Sequence, residues 1–205
     1  MFGRLLNFDD TVCHLTPRRY NIYVADPRVR KSPEKSCGLE EKEVDHNTNA
    51  PISTYGRSDP MPLCRGAPKK GSVKTYSAGE QVVMKFNRGA THKGGHCKFS
   101  LSVDDKVFVA IYTVLNECFI DSQGTSIKIQ IPEDAPTLKG ATLAWTWVNA
   151  EGNREFYMNC IDVDIDGKPD GKIVGPPIVI ANYGKDDSKY PQIGEFAHGK
   201  NPAWI

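Results

Sequence analysis

Two stretches of the chain carry residue types that suit metal chemistry. Residues 90–102 read ATHKGGHCKFSLS and place His92 beside a Gly-Gly turn and a cysteine, just before an alternating strand. Residues 144–160 read AWTWVNAEGNREFYMNC and contain two tryptophans, Tyr157 and another cysteine. An imidazole and a phenol on the rim of a β-sheet core are donors that a surface copper site could use. His92 and Tyr157 are therefore candidate metal ligands.

Each histidine also has a purely structural interpretation. His92 could be a loop histidine that bonds only to its neighbours. His96 follows it by four residues, but the intervening glycines favour a turn over a metal-binding helix face. We expect His96 to face solvent or to act as an auxiliary donor. His46 and His198 have no partner pattern, and we expect them at the surface.

The elements that must position these residues are β-strands. Period-two alternation predicts strands over six ranges, separated by turn residues. The ranges are 81–87, 97–103, 106–114, 126–131, 141–148 and 156–164. Residues 25–72 are rich in Pro, Gly, Asn, Asp and Ser and predict long loops, and the tail from Pro176 predicts one further strand. This spacing indicates an all-β, immunoglobulin/fibronectin-like antiparallel β-sandwich of seven or eight strands with long loops.

Strand parity predicts which aromatic side chains face the core. Trp145 and Trp147 share one face of a strand, and we expect them to pack in the core, with stacking on a polysaccharide as the alternative. Tyr157 is expected to point opposite to Phe156 and Met158, although it could itself be a core tyrosine with a satisfied hydroxyl.

Composition excludes several classes of function. The 205 residues carry 26 Lys or Arg and 25 Asp or Glu, a net charge of +1 that gives no reason to expect a nucleic-acid partner. No segment has the length and apolarity of a membrane span, and no secretory signal pattern is visible at the start. The sequence lacks GxSxG, HExxH and P-loop motifs, so hydrolase and nucleotide-binding interpretations have no support.

Six cysteines indicate disulfides and an oxidising compartment. They stand at 13, 37, 64, 97, 118 and 160 without any CxxC pair, and they allow 15 pairings that spacing alone cannot distinguish. The alternative is a cytosolic protein with six buried thiols.

In combination, these motifs resemble one known family. CRG at 64–66, ATHKGGHCKFSLS, IPEDAP at 131–136, LAWTWVNAEGNREFYMNC and PPIVIANYG follow in an order that resembles the fungal chitin-active lytic polysaccharide monooxygenases of auxiliary-activity family eleven (AA11). The resemblance runs from about residue 23 to residue 196. It implies a secreted β-sandwich that binds one copper ion and cleaves an insoluble, chitin-like polysaccharide oxidatively, using O2 or H2O2 and an external electron donor. We expect a monomer without nucleic-acid or membrane partners.

The resemblance also implies roles for individual residues. His92 matches the second histidine of the copper-binding histidine brace, and Tyr157 matches the axial tyrosine. Glu155 matches a carboxylate beside the metal that orients or protonates the oxygen species. Ala90 matches a small residue that shapes the open axial face. Cys97 and Cys118 are expected to pair, and Cys64 with Cys160 forms a plausible second bridge.

One departure from the family pattern affects the metal site. The family begins, after processing, with a histidine that chelates copper through its ring and its amine, and Asn21 stands at that position, six residues before the matching Pro27. Asn21 cannot supply an imidazole, and an internal residue has no free amine. Three explanations remain open: residues 1–22 are an atypical or mispredicted segment, the protein is a non-catalytic relative, or processing exposes His14.

The sequence therefore supports three hypotheses over a sandwich domain at 23–196, followed by a tail at 197–205. The first is a copper-dependent polysaccharide monooxygenase, inactive as written if the brace histidine is absent. The second is a non-catalytic protein that binds chitin or another cell-wall carbohydrate on the same scaffold. The third is a structural wall protein without affinity for sugars.

Overall fold

A computed structural model of the chain describes residues 22–32, 44–87, 89–120, 126–186 and 188–196. In these residues the chain forms nine strands and one short 3₁₀ turn (Leu63–Gly66), with no α-helix. The strands are β1 (Val24–Asp26), β2 (Ser53–Thr54), β3 (Lys74–Ser77), β4 (Gln81–Phe86), β5 (Gly95–Ser102), β6 (Val109–Val114), β7 (Ser126–Gln130), β8 (Leu138–Asn149) and β9 (Glu155–Asp166). Nothing helical in the described ranges could cross a membrane.

The strands form two sheets, which confirms the predicted β-sandwich. The small sheet has the order β1-β4-β7, and the large sheet has the order β2-β9-β8-β5-β6. Adjacent strands pair antiparallel except β3, which the strand prediction omitted and which runs parallel to β9. The central pair, β8 and β9, places Trp147 directly opposite Tyr157.

The main core lies between the two sheets. Val82, Met84 and Phe86 of β4 are buried while the residues between them are exposed, as period-two alternation requires. Trp145 and Tyr157 meet them from the large sheet, and neither is more than 1% exposed. The expected core position of the tryptophans is thus observed.

A second core lies on the opposite face of the large sheet. Phe156 and Met158, which alternate with Tyr157 on β9, pack there against residues of the long loops such as Ile52 and Phe196. Because both faces of the large sheet are covered, all eight residues of β5 are buried, including the polar His96 and Lys98.

The segment from Pro176 does not form the strand that the sequence predicted. Among the described residues it meets β6 at an isolated bridge between Val109 and Pro177, where the Ala110 N–H donates to the Pro176 carbonyl and the Ile178 N–H donates to the Phe108 carbonyl. The two consecutive prolines have no N–H to donate, so they cannot continue a ladder.

Two disulfides tie loops to strands of the large sheet. Cys97 at the start of β5 bonds Cys118 in the loop after β6, and Cys64 in the 3₁₀ turn bonds Cys160 of β9. Cys13 and Cys37 lie outside the described residues.

Candidate metal centre

His92 lies in a tight turn that leads into β5. His92 and Lys93 have φ of 48° and 54°, and the Gly94 N–H closes the turn on the Thr91 carbonyl at 2.9 Å. A side chain is tolerated in this left-handed region only at some cost, and histidine is among the residues found there more often. The Gly-Gly sequence follows from packing, because a Cβ on Gly95 would lie 2.2 Å from the Val148 carbonyl oxygen.

The turn between β8 and β9 fixes the His92 ring. The Glu151 N–H donates to the His92 carbonyl at 3.0 Å, and Nδ1 of His92 lies 3.1 Å from the Glu151 carbonyl oxygen. A carbonyl oxygen can only accept, so this bond places the ring proton on Nδ1 and the lone pair on Nε2. Gly152 allows this approach, since a Cβ there would lie 3.0 Å from Nδ1.

His92 and Tyr157 meet at one carboxylate oxygen. The Tyr157 hydroxyl donates to Oε2 of Glu155 at 2.7 Å, and Nε2 of His92 lies 3.8 Å from the same oxygen. The imidazole nitrogen and the phenol oxygen are therefore separated by no more than the sum of these two distances. The structure brings together the three residues to which the sequence assigned ligand and proton-transfer roles.

Asn149 holds the carboxylate in place. The Glu155 N–H donates to Oδ1 of Asn149 at 2.7 Å, and Nδ2 of Asn149 lies 3.4 Å from Oε2 of Glu155. Nδ2 also donates to the Glu151 carbonyl at 2.8 Å. Asn149 was not singled out from the sequence beyond its place in the NAEGN turn.

Tyr157 is a neutral phenol in this environment. Its side chain is 1% exposed, and burial, followed by the nearby Glu155 charge, raises the pKa of the hydroxyl above its ordinary value. The hydroxyl therefore keeps its proton and donates a hydrogen bond to Glu155. As a metal ligand it could offer only the weak donor oxygen of an un-ionised phenol.

Trp147 forms the inner wall of the site. Its ring centroid lies 4.7 Å from that of Tyr157 and 5.6 Å from that of His92, and its Nε1–H points to the Gly94 carbonyl at 3.3 Å. Its side chain is fully buried, so a substrate cannot stack on it.

Three exposed side chains, those of Tyr55, Ile120 and Ala90, form the outer rim of the site. Tyr55 is 45% exposed and stacks under the Arg154 guanidinium, 3.7 Å from its ring centroid. Tyr55 follows Thr54 in the chain, and Thr54 of β2 is the strand partner of Glu155 in β9. Ile120 is 60% exposed beside Gly94, and Ala90 is exposed two residues before His92. Tyr55 sits in a loop without periodicity, and no sequence signal pointed to it.

The structure corrects the prediction for His96. His96 is 4% exposed, so its expected solvent-facing position is wrong. Its Nδ1 accepts the Asn116 N–H at 3.1 Å, and its ring stacks on Phe196 with centroids 4.3 Å apart. Burial, and then the Lys98 charge, lowers its pKa to about 4. His46 is exposed as expected, and His198 lies outside the described residues.

The donors at the site could supply part of the coordination of a copper ion, but they do not complete it. They comprise one imidazole nitrogen, one neutral phenol and one carboxylate, whereas tetragonal Cu(II) favours several nitrogen donors. Among the residues that the structure describes, no group of three His, Cys, Asp or Glu side chains is arranged to hold a metal ion. Asn21 and His14 lie outside those residues.

Comparisons with known proteins agree with the resemblance. The chain is 36% identical over 132 residues to AA11 family lytic polysaccharide monooxygenase A of Aspergillus fumigatus, a match covering 62% of this chain and 57% of the relative. It is 29% identical over 167 residues to an AA11 family lytic polysaccharide monooxygenase of Aspergillus oryzae, covering 67% of this chain and 39% of the relative. No protein-family model matches.

A solved structure supports the fold. The crystal structure of a cellulose-active polysaccharide monooxygenase from M. thermophila superposes with a TM-score of 0.50 at 14% identity, covering 71% of this chain and 80% of that one. The chain spans roughly half the length of the curated relatives, or less. In sequence the chain is therefore similar to AA11 family lytic polysaccharide monooxygenases over about two thirds of its length, and in fold it is similar to a solved polysaccharide monooxygenase.

Proposed function

We propose that this domain carries out copper-dependent oxidative cleavage of chitin or a related polysaccharide, and that His92 and Tyr157 would be among the residues that hold the metal. The supporting observation is that the side chain of His92, which is 21% exposed, and the buried hydroxyl of Tyr157 converge on Oε2 of Glu155. Bound copper would supply the redox chemistry, which consumes O2 or H2O2 and electrons from an external donor.

The chain's own residues have separate tasks in this proposal. The Nδ1–H bond to Glu151 fixes the imidazole with its Nε2 lone pair towards Glu155. Oε2 of Glu155 is the atom that accepts or delivers a proton. Trp147 excludes water behind the imidazole, and the small side chain of Ala90 leaves the approach open.

The proposal requires nitrogen donors in addition to His92. The part of the chain that the structure describes does not supply them. They must come from outside those ranges, and Asn21 does not qualify because a carboxamide is no substitute for an imidazole.

The substrate would contact the rim through Tyr55. An exposed aromatic ring next to Glu155 offers an apolar face to a sugar ring, and Arg154 holds it in one orientation. Two disulfides support an extracellular location, where such a polymer is found.

A second candidate function is polysaccharide binding without catalysis. The observation in its favour is the asparagine at position 21, together with the incomplete donor set at His92. The rim around Tyr55 would then be the whole functional surface.

One experiment separates the two functions. The full chain, loaded with Cu(II), is incubated with insoluble chitin, ascorbate and H2O2, and oxidised oligosaccharides are measured by mass spectrometry while the bound fraction is measured by pull-down. The monooxygenase proposal predicts oxidised products that are abolished by His92→Ala and retained in the exposed control His46→Ala. Binding without products would support the second function, and neither binding nor products would refute both.

A further inference from the structure

We propose that a buried polar strip on β5 binds a small anion that carries oxygen acceptors, such as phosphate or a carboxylate, with the Lys98 ammonium as its charged partner. The strip consists of His96, Lys98 and Ser100, which alternate along β5 with the core residues Cys97 and Phe99. Because side chains alternate between the faces of a sheet, the strip points away from the main core and towards the loop layer.

Lys98 is a buried cation without a counter-ion in the described parts of the chain. Only 8% of the residue is exposed, and burial lowers the pKa of its ammonium with no carboxylate opposing that shift. Its strand neighbours are the uncharged Thr113 of β6 and Thr146 of β8. Lysine is seldom buried to this extent unless it is paired, because removing its charge from water is costly. The position therefore favours a ligand of negative charge.

His96 and Ser100 add hydrogen-bond donors on either side of Lys98. Nδ1 of His96 accepts the Asn116 N–H at 3.1 Å, so the neutral ring carries its proton on Nε2. That Nε2 and the Oγ of Ser100 are both buried, and neither has a hydrogen-bond partner among the described residues. Buried polar atoms are normally paired. The strip thus offers an N–H, an ammonium and an O–H to a ligand that accepts hydrogen bonds.

The spacing of the strip fits one small ion. Residues two apart on a strand are separated by about 6.6 Å at about 3.3 Å per residue. An ion between two neighbouring side chains can therefore bond to both of them at about 3 Å. Bonds from these donors to an anion are charge-assisted and stronger than bonds to a neutral acceptor. An anion also supplies the counter-charge that Lys98 lacks, which water does not.

Phe196 covers the strip at His96. Its ring stacks on the imidazole with centroids 4.3 Å apart, and its N–H donates to the Ala150 carbonyl at 3.0 Å. A ligand that binds only the folded chain stabilises it by mass action. A bound anion also favours the charged form of a nearby imidazole, so it raises the pKa of His96 from about 4.

The strip is separate from the metal centre. Val148 lies directly opposite His96 and belongs to the second core, whereas Trp147 and Tyr157 belong to the main core on the other face of the sheet. The proposal therefore does not depend on copper or on polysaccharide cleavage, and its test can fail without affecting the proposed function.

The test is a titration of the full chain at neutral pH and constant ionic strength, followed by backbone amide NMR, with phosphate, acetate and neutral acetamide as separate probes. Lys98→Met removes the charge and keeps an apolar stem, and Lys106→Met at an exposed lysine is the matched control. We expect at least one of the two anions to shift the amides of residues 96–100 with saturation. Lys98→Met should bind it about tenfold more weakly, as the loss of a charge-assisted contact implies, and the control should bind like the original chain.

A second measurement uses the unaltered chain and so decides the matter even if Lys98→Met does not fold. The ring resonances of His96 are followed over pH with and without saturating phosphate or acetate, whichever binds more tightly. The proposal predicts a higher pKa of His96 when the anion is present. An unchanged pKa would contradict a site beside the imidazole.

Three outcomes of the titration would overturn the assignment. The first is acetamide binding as tightly as acetate, which would mean that the charge contributes nothing. The second is equal binding by Lys98→Met and the original chain, which would remove Lys98 as the partner. The third is the absence of saturable shifts with both anions, which would leave the strip a purely structural feature.

Discussion

At the scale of single residues, the site depends on Oε2 of Glu155. This oxygen accepts from Tyr157, lies near Asn149 and faces Nε2 of His92. A buried carboxylate that loses a donor is left with an uncompensated polar atom, so each contact contributes to stability as well as to the proposed proton transfer.

Tyr157→Phe tests the contribution of the phenol. Loss of the hydroxyl removes a hydrogen bond to Glu155, and we expect the free energy of unfolding to fall by about 2 kcal/mol. Denaturant unfolding measures the change. Tyr112→Phe, at a 41% exposed tyrosine of β6, is the control and should change the free energy by less than about 0.5 kcal/mol. Equal effects in both variants would contradict the assigned role of the Tyr157 hydroxyl.

His96 predicts a specific dependence of stability on pH. Its pKa is about 4 in the folded protein, against about 6.5 in an unfolded chain. The unfolded state therefore binds more protons between these values, so the contribution is fully present above pH 6.5 and is lost as the pH falls towards 4. The loss is about 3 kcal/mol by linkage.

Unfolding curves measured between pH 7 and pH 4 test this prediction. His96→Asn keeps an acceptor for the Asn116 N–H but cannot titrate, so its stability should fall less over this range. The exposed control His46→Asn should behave like the original chain. If the slope is unchanged in His96→Asn, the titration of another group causes the pH dependence.

At the scale of elements, two turns bring the site together. The turn at 91–94 precedes β5, and the turn at 150–154 joins β8 to β9. They are linked by the bond from the Glu151 N–H to His92 and by the ion pair of Lys93 with Glu151 at 2.9 Å. The long β8–β9 pair then sets the depth at which Glu155 and Tyr157 lie.

Gly95→Ala tests the close approach of these elements. The new Cβ would lie 2.2 Å from the Val148 carbonyl oxygen and 2.8 Å from Nε1 of Trp147 at a φ of 138°. We expect a loss of about 3 kcal/mol or more in the free energy of unfolding, and a displaced His92 turn. Gly140→Ala, also at positive φ but with nothing within 4 Å, should cost about 1–2 kcal/mol. A loss at Gly95 no larger than this would contradict the packing argument.

Sequence patterns predicted the alternating strands and the opposite orientations of Tyr157 and Phe156. They could do so because buried and exposed positions alternate along a strand, and apolar and polar residue types alternate with them. They did not predict the burial of His96. The strand prediction began at Cys97, whereas β5 begins at Gly95, and both faces of the large sheet are covered. Tyr55 and Asn149 could not be assigned to the site, since their positions depend on long-range pairing.

At the scale of the whole molecule, three layers support the rim. The small sheet, the large sheet and the long loops enclose two cores, and the Cys64–Cys160 bond ties the loop layer to β9 across a separation of 96 residues. The Cys97–Cys118 bond spans only 21 residues. The chain-entropy model attributes more stabilisation to the longer loop.

Removal of each disulfide tests this difference. Cys64→Ala/Cys160→Ala is expected to lower the free energy of unfolding by about 4–5 kcal/mol, and Cys97→Ala/Cys118→Ala by about 3 kcal/mol. Chemical denaturation of the two double variants under oxidising conditions compares them. A larger loss for the Cys97–Cys118 pair would show that local packing outweighs loop length.

The most direct test of the central claim is a calorimetric titration of Cu(II) into the full chain, with electron paramagnetic resonance of the product. The account predicts one copper ion per chain, with nitrogen couplings in the spectrum, and loss of this binding in His92→Ala. Absence of stoichiometric binding, or equal binding in His92→Ala, would contradict the assignment of a copper centre at His92.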